Sequence, residues 1–171
     1  MVMTVGVVGG GINGVMSAWA LARRGCQVTL FERGELMGET SSSSTKLLHG
    51  GIRYLETGQF ALVREALRER RWWLDRAPHL AHPLRMLIPV YTRSRRGRWK
   101  VRCGLALYDL LAGVARLGPT SWLDPGEVRT KLPSLNPRGL RGAYAFFDAQ
   151  MDDRALGLWA AQQAAQAGVE F

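Results

Sequence analysis

The sequence predicts an α/β chain with a parallel sheet, and three observations in its first 32 residues predict it. Val5-Gly6-Val7-Val8 is an apolar run of strand length. A glycine cluster, Gly9-Gly10-Gly11-Ile12-Asn13-Gly14, follows it and opens a helical segment that carries Ala18 and Leu21 on its apolar face. Gln27 to Phe31 is a second apolar run, closed by Glu32. Strand, helix and strand in so short a span form a βαβ unit, whose crossover connection makes the two strands parallel.

Gly9, Gly11 and Gly14 fit the pattern G-x-G-x-x-G. The pattern alone is a weak signal, but here it stands between a strand and a helix, the context that gives it meaning. Gly9 permits the tight turn out of the strand. Gly11 lets the backbone approach a pyrophosphate, and Gly14 lets the helix pack close to the sheet. The unpaired N–H groups and positive dipole end of the helix attract phosphate charge. Gly25 stands where the helix ends and a left-handed residue is favoured. Glu32 then falls where a carboxylate accepts both hydroxyls of a ribose and disfavours a 2′-phosphate. The unit reads as a Rossmann-like dinucleotide-binding core.

A length of 171 residues suits one domain or one and a fraction. The formal charge of +9 favours anionic partners: phosphorylated ligands, membrane surfaces or nucleic acid. Cys26 and Cys103 lie far apart in no metal-like spacing and read as reduced or buried, which suits the cytoplasm. No signal peptide is expected before the first strand, and no run of 18 apolar residues is present. No recognition helix, RNP pattern or zinc spacing supports nucleic-acid binding. His79 and His82 lack a third ligand, so no metal site is expected.

After a turn-rich loop from Gly34 to Glu39, the run Thr40-Ser41-Ser42-Ser43-Ser44-Thr45-Lys46 reads either as a linker or as an oxygen-binding loop. The second reading is preferred, because the run passes directly into the mixed apolar segment Leu47-Leu48-His49-Gly50-Gly51-Ile52-Arg53-Tyr54-Leu55. On residue type alone, Arg53 reads equally as a surface ion-pair partner, and His49 as a satisfied core histidine.

Gln59 to Arg76 has Phe60, Val63, Leu67 and Leu74 on one helical face, and Arg64, Glu65, Arg68 and Arg71 mostly elsewhere. Pro78 and Pro83 end that helix and force extended chain. Leu84 to Tyr91 reads as a strand, and its Pro89 marks an edge or a bulge. Arg93, Arg95, Arg96, Arg98, Lys100 and Arg102 crowd around Trp99, and an apolar helix is expected from Val101 to Leu117. This basic stretch has two readings, a solvated loop and a contact with anionic membrane headgroups. Asp124-Pro125-Gly126-Glu127 is a helix start with a capping box, stapled by Leu123 and Val128. Gly142 to Phe147 reads as a strand ending at Asp148. Asp152 to Ala167 reads as a helix capped by Asp152 and stopped by Gly168, and Val169-Glu170-Phe171 as the start of another strand.

The fingerprint Gly9 to Glu32, followed by Thr40 to Glu56, resembles FAD-dependent glycerol-3-phosphate dehydrogenases, members of the D-amino-acid-oxidase-like flavoproteins. The likeness continues through Leu62 to Leu67, Ala77 to Ala81, Leu107 to Leu111 and Asp148-Ala149-Gln150-Met151-Asp152-Asp153. It implies oxidation of sn-glycerol 3-phosphate to dihydroxyacetone phosphate, with electrons passed to quinone or another acceptor. It assigns Gly9, Gly11, Asn13, Gly14, Glu32, Arg33, Thr40, Ser41, Ser42, Ser44, Lys46, Leu47, His49 and Gly50 to FAD. His49 and Gly50 match positions near the isoalloxazine ring, and Arg53 and Tyr54 match positions facing the substrate. His49, Arg53 and Tyr54 are therefore the catalytic candidates.

By the same resemblance, residues 1–56 form the dinucleotide- and flavin-binding core, 57–141 a helical and basic insertion, and 142–171 a return to the core. The relatives' substrate domain has no counterpart, so the chain is expected to be an N-terminal portion of an incomplete FAD-binding domain. The expected location is cytoplasmic, with contact to the inner face of the cell membrane. The alternatives are a related FAD-dependent oxidase of an amine or hydroxy acid, or a truncated remnant without activity.

Overall fold

The computed structural model describes residues 2–171. Its elements in chain order are β1 (Thr4–Val8), α1 (Ile12–Ala22), β2 (Gln27–Phe31), β3 (Leu47–Leu48), α2 (Phe60–Arg76), β4 (Ala81–Tyr91), α3 (Arg98–Ala112), β5 (Ser121–Leu123), α4 (Pro125–Lys131), β6 (Leu140–Met151) and α5 (Asp153–Gln166). Tight helical turns cover Thr40–Ser42, Ile52–Thr57 and Gly113–Ala115. These elements form two compact units. One takes the chain up to Leu47 together with Met151–Phe171, and the other takes Leu48–Gln150.

In the first unit β1 and β2 pair in parallel, from Thr4 opposite Gln27 to Val8 opposite Phe31, with α1 between them in sequence. This is the predicted βαβ unit. Its core is built from small and branched side chains: Val15 and Ala18 of α1, Val28 and Leu30 of β2, and Leu156, Ala160, Ala161 and Ala164 of α5 are all buried. The alanines let α1 and α5 approach, and the Trp19 and Trp159 rings meet edge to face with centroids 6.1 Å apart. In place of the strand expected over Val169 to Phe171, a single isolated bridge forms at Glu170. The Glu170 N–H donates to the Val28 carbonyl, and the Glu170 carbonyl accepts from Leu30 N–H, a parallel bridge on β2.

The second unit contains a sheet in the order β3-β6-β4, with β5 antiparallel to β6. The long β6 is its spine, with Ala143, Tyr144, Ala145, Phe146 and Ala149 buried. It is longer than the predicted Gly142 to Phe147, because Asp148 lies buried inside the strand rather than ending it. β4 stands at the end of the sheet order, the place expected for a strand that carries proline. It also reaches back to Ala81, so that Pro83 and Pro89 both lie within it.

Helix α2 starts one residue after its cap Gln59 and buries Val63, Leu67 and Leu74 as predicted. Phe60, expected on the same face, is 46% exposed in the first turn. Helix α3 differs more from expectation. It begins at Arg98, so Arg98, Trp99 and Lys100 are helical rather than in a loop, and it stops at Ala112. Gly113, at φ +49°, breaks it before Leu117. Its buried stripe is Val101, Leu105, Tyr108 and Ala112, a helical spacing. These residues pack with Val63, Leu67, Val90, Tyr144 and Phe146 in one core cluster. Leu123 and Val128 share a second cluster with Ala143 and Ala145.

Helix α4 has the predicted capping box. Asp124 Oδ1 accepts the Glu127 N–H at 2.9 Å, and Glu127 Oε2 accepts the Asp124 N–H at 2.9 Å. With Pro125 in the first turn, this cap sustains a helix of only seven residues. Asp124→Ala is expected to cost about 1 kcal/mol and Asp124→Asn only a fraction of that, read as shifts of the urea midpoint at constant slope.

Candidate functional site

The glycine turn of the first unit has the stereochemistry its sequence requires. Gly9 takes φ +105°, a conformation open chiefly to glycine. A Cβ on Gly14 would stand 1.9 Å from the Gly9 carbonyl oxygen, so the start of α1 touches the end of β1 with no side chain between them. Gly11 is the N-cap and supplies no side chain of its own, and no acidic residue occupies the first turn. The Ile12 N–H donates to Ser41 Oγ at 3.0 Å. Asn13 is exposed in the same first turn. A helix start capped only by backbone and a small hydroxyl fits a dinucleotide pyrophosphate.

Glu32 closes β2 with its carboxylate held from two sides. Oε2 accepts the Gly10 N–H at 2.6 Å and Oε1 accepts the Gly34 N–H at 2.8 Å. Those bonds, Gly10 first, lower its pKa below the ordinary glutamate value, so it is a carboxylate at neutral pH. Each oxygen has a further lone pair for a ribose hydroxyl. Arg33 follows, exposed.

The serine run is structured rather than a linker. Thr40, Ser41 and Ser42 form a helical turn, with Ser42 Oγ donating to the Glu39 carbonyl. Beyond it, Ser44 and Lys46 converge on a residue to which the sequence reading gave no role. Asp153, buried at the start of α5, accepts the Ser44 N–H at 3.0 Å and the Ser44 hydroxyl at 2.9 Å on Oδ2, and the Lys46 ammonium at 3.2 Å on Oδ1. Lys46 adopts φ +57°, unusual for a residue with a side chain. Burial pushes the Asp153 carboxyl up, but the bonds from Ser44, Lys46 and the Arg154 N–H outweigh it and hold the pKa at about 2. The ammonium of Lys46 is thus paired within the protein. Leu47 opens β3, half-buried.

In the second unit His49 is exposed, and its Nδ1 accepts the Gly51 N–H at 3.0 Å. The core-histidine reading is therefore set aside. Gly50 is buried, and its N–H donates to the Tyr108 hydroxyl at 2.8 Å. That hydroxyl donates to Asp148 Oδ1 at 2.8 Å, and Asp148 pairs with Arg70 Nη1 at 2.6 Å. Arg70 also donates to the carbonyls of Phe147 and Ala115. Burial, then the Asp148 charge, push the Tyr108 hydroxyl far above the ordinary tyrosine range, so it stays protonated. None of these three side chains was given a functional role from sequence. Arg70 does leave a signal: it lies three residues from Leu67 and seven from Val63, on the apolar face of α2.

Arg53 and Tyr54 lie exposed on the turn Ile52–Thr57. Arg53 lines a cavity of about 440 Å³ whose walls include Ile52, Ile88 and Leu107. At its rim Glu56 binds Arg96 through two bonds of 2.7 and 2.6 Å, with the Lys100 ammonium at 3.4 Å. The Arg96 bond chiefly lowers the Glu56 pKa to about 2. Two members of the basic stretch are thereby paired, and Arg98 stacks over the Trp122 ring at 4.1 Å. Among the described residues, no group of three or more His, Cys, Asp or Glu side chains is placed to hold a metal ion. No helix there is long and apolar enough to cross a membrane.

Two outcomes follow from these contacts. Gly14→Ala forces a methyl into the Gly9 carbonyl and is expected to cost at least about 3 kcal/mol in denaturant unfolding. The pH profile depends on Asp153, whose folded pKa of about 2 lies below its ordinary 3.8. Its contribution is complete above about pH 4 and is lost as pH falls through the folded value. Ser44→Ala is expected to raise that folded pKa and so flatten the loss of stability between these pH values, measured by urea titration at each.

The model of the FAD dependent oxidoreductase family matches residues 4–171. Glycerol-3-phosphate dehydrogenase of Synechocystis sp. is 44% identical over 146 residues, covering 85% of this chain and 26% of that protein. D-erythritol 1-phosphate dehydrogenase of Brucella abortus is 43% identical over 162 residues, covering 95% of this chain and 32% of that protein. The X-ray structure of glycerol-3-phosphate dehydrogenase from Bacillus halodurans, complexed with FAD, matches with a TM-score of 0.68 at 25% identity, over 99% of this chain and 25% of that one. The chain spans a quarter to a third of the length of these proteins. FAD is the cofactor of the matched family, and the parallel βαβ unit with its glycine turn is the part of the fold suited to it. With nearly every residue inside the match, the chain belongs to the FAD-dependent oxidoreductase family.

Proposed function

We propose that this chain forms the FAD-binding portion of an enzyme that oxidises sn-glycerol 3-phosphate to dihydroxyacetone phosphate. The observation that carries the reading is the glycine turn, with the start of α1 open to a phosphate and the Glu32 carboxylate fixed at the end of β2. The N–H groups of the first turn, including that of Asn13, bind the pyrophosphate, and Ser41 and Ser42 line its approach. Glu32 takes the ribose hydroxyls. Ser44 and Lys46, held by Asp153, shape the loop rather than lend it free charge. Bound FAD supplies the two-electron acceptor. His49 lies along the isoalloxazine, and Arg53 offers a planar guanidinium to the substrate phosphate beside the Tyr54 hydroxyl.

Quinone or another acceptor receives the electrons, at the inner face of the cell membrane. Exposed Trp99 and Leu110 on α3, beside Arg93, Arg95 and Arg102, support contact with anionic headgroups. A relative named for D-erythritol 1-phosphate favours a second reading, a longer polyol phosphate as substrate.

The purified chain is expected to bind FAD in an absorbance titration, and Gly11→Val to lose it, because the branched side chain occupies the place of the pyrophosphate. Unchanged flavin content in that variant contradicts the proposal. In the FAD-loaded protein under anaerobic conditions, bleaching by sn-glycerol 3-phosphate supports the first substrate, bleaching by D-erythritol 1-phosphate alone the second, and bleaching only by glycine an amine oxidase. Binding to vesicles is expected to need anionic lipid and to weaken as salt rises. Equal binding to neutral vesicles removes the membrane contact.

A further inference from the structure

The polar cluster of Arg70, Asp148 and Tyr108 stands in the middle of an apolar core. The three side chains are 1%, 2% and 2% exposed, among Val63, Leu67, Leu105 and Phe146. Apolar residues of similar volume often serve stability as well as a buried ion pair does, so stability alone gives little reason for such a group. Its geometry supplies one. The chain of bonds runs from Arg70 to Asp148 to the Tyr108 hydroxyl and ends on the backbone N–H of Gly50. Asp148 Oδ1 also lies 3.3 Å from that N–H.

Gly50 is wedged against the same tyrosine. A Cβ there would stand 2.6 Å from the Tyr108 oxygen and 2.5 Å from Leu67. The next residue, Gly51, turns left-handed at φ +68° and donates to His49 Nδ1. Its carbonyl accepts the Tyr54 N–H at 2.9 Å, which opens the turn that carries Arg53 and Tyr54. Fixing one buried N–H therefore fixes the backbone that presents His49 on one side and Arg53 with Tyr54 on the other. Tyr108 suits this task because its hydroxyl accepts from Gly50 and gives its own proton to Asp148. The Arg70 charge and its carbonyl contacts keep Asp148 in place.

We infer that Tyr108, backed by Asp148 and Arg70, is a positioning residue for the flavin-facing turn His49-Gly50-Gly51 and the substrate-facing residues after it. This rests on the FAD reading above. Tyr108 touches neither cofactor nor substrate and acts through the Gly50 N–H.

The test compares Tyr108→Phe, which keeps the ring and removes the hydroxyl, with Val128→Ala, a cavity variant in the separate core cluster beside α4. Amide exchange by NMR in the ligand-free chain reads the geometry directly. In Tyr108→Phe the Gly50 amide is expected to exchange about tenfold faster relative to the Val63 amide, the worth of one hydrogen bond. In Val128→Ala the two amides should shift together. In the FAD-loaded chain, the visible circular dichroism of the flavin is expected to change in Tyr108→Phe at unchanged FAD affinity, and to match wild type in Val128→Ala. A Gly50 amide that keeps its relative protection in Tyr108→Phe, or a flavin spectrum that ignores the substitution, overturns the positioning role and leaves the FAD reading standing. Equal spectral changes in both variants reduce Tyr108 to general stability and also overturn it. A wild-type chain that takes up no FAD overturns the FAD reading, and this inference with it.

Discussion

The contact on which the first unit depends is the approach of Gly14 to the carbonyl of Gly9. With 1.9 Å between that oxygen and the place of a Cβ, α1 lies against the end of β1 more closely than any other residue type allows. The approach aims the helix start along the strand end, brings Ile12 under Ser41, and leaves Gly10 to donate to Glu32. One missing methylene thus links the packing of the sheet, the seating of the serine loop and the fixing of the Glu32 carboxylate. The left-handed turn at Gly9 makes the approach possible, and the alanines of α5 close the opposite side of α1.

The second unit is organised by a different constraint. Within its apolar core, Arg70, Asp148 and the Tyr108 hydroxyl are joined by hydrogen bonds that end at Gly50. Cost and specificity pull in opposite directions in such a cluster: desolvating an ion pair gains little net stability, but breaking it is expensive. The cluster ends on the backbone N–H of the turn that carries His49. Asp153 plays a comparable part in the first unit, where Ser44 and Lys46 both fold back onto it.

Much of the fold was legible because the signals were local. The glycine spacing, the Asp124 capping box, the Asp152 cap and the prolines of an edge strand each act within a few residues of themselves. The Arg70 network was not legible in this way. Its members lie 78 and 40 residues apart in sequence, and an arginine among so many others reads as solvated even though its position on α2 places it on the buried face. The start of α3 was misplaced for a similar reason. Arg98 and Lys100 stand before the expected helix start, in a stretch with a solvated-loop reading, but their long side chains are good helix formers, and the Glu56 carboxylate and the Trp122 ring absorb part of their charge. The assignment of Lys46 to FAD came from the family resemblance, and the carboxylate that pairs with it stands 107 residues away.

The prolines of β4 have an effect beyond marking a boundary. Residues 83 and 89 are separated by an even number of positions, so they direct their ring nitrogens to the same side of the strand. A strand laid along that side would find two donor positions missing from its ladder and would pair poorly. On whichever side of β4 those nitrogens lie, the interruption of the ladder is made from covalent backbone chemistry. Because it contains no titratable group and no ion pair, neither acidity nor salt can release it.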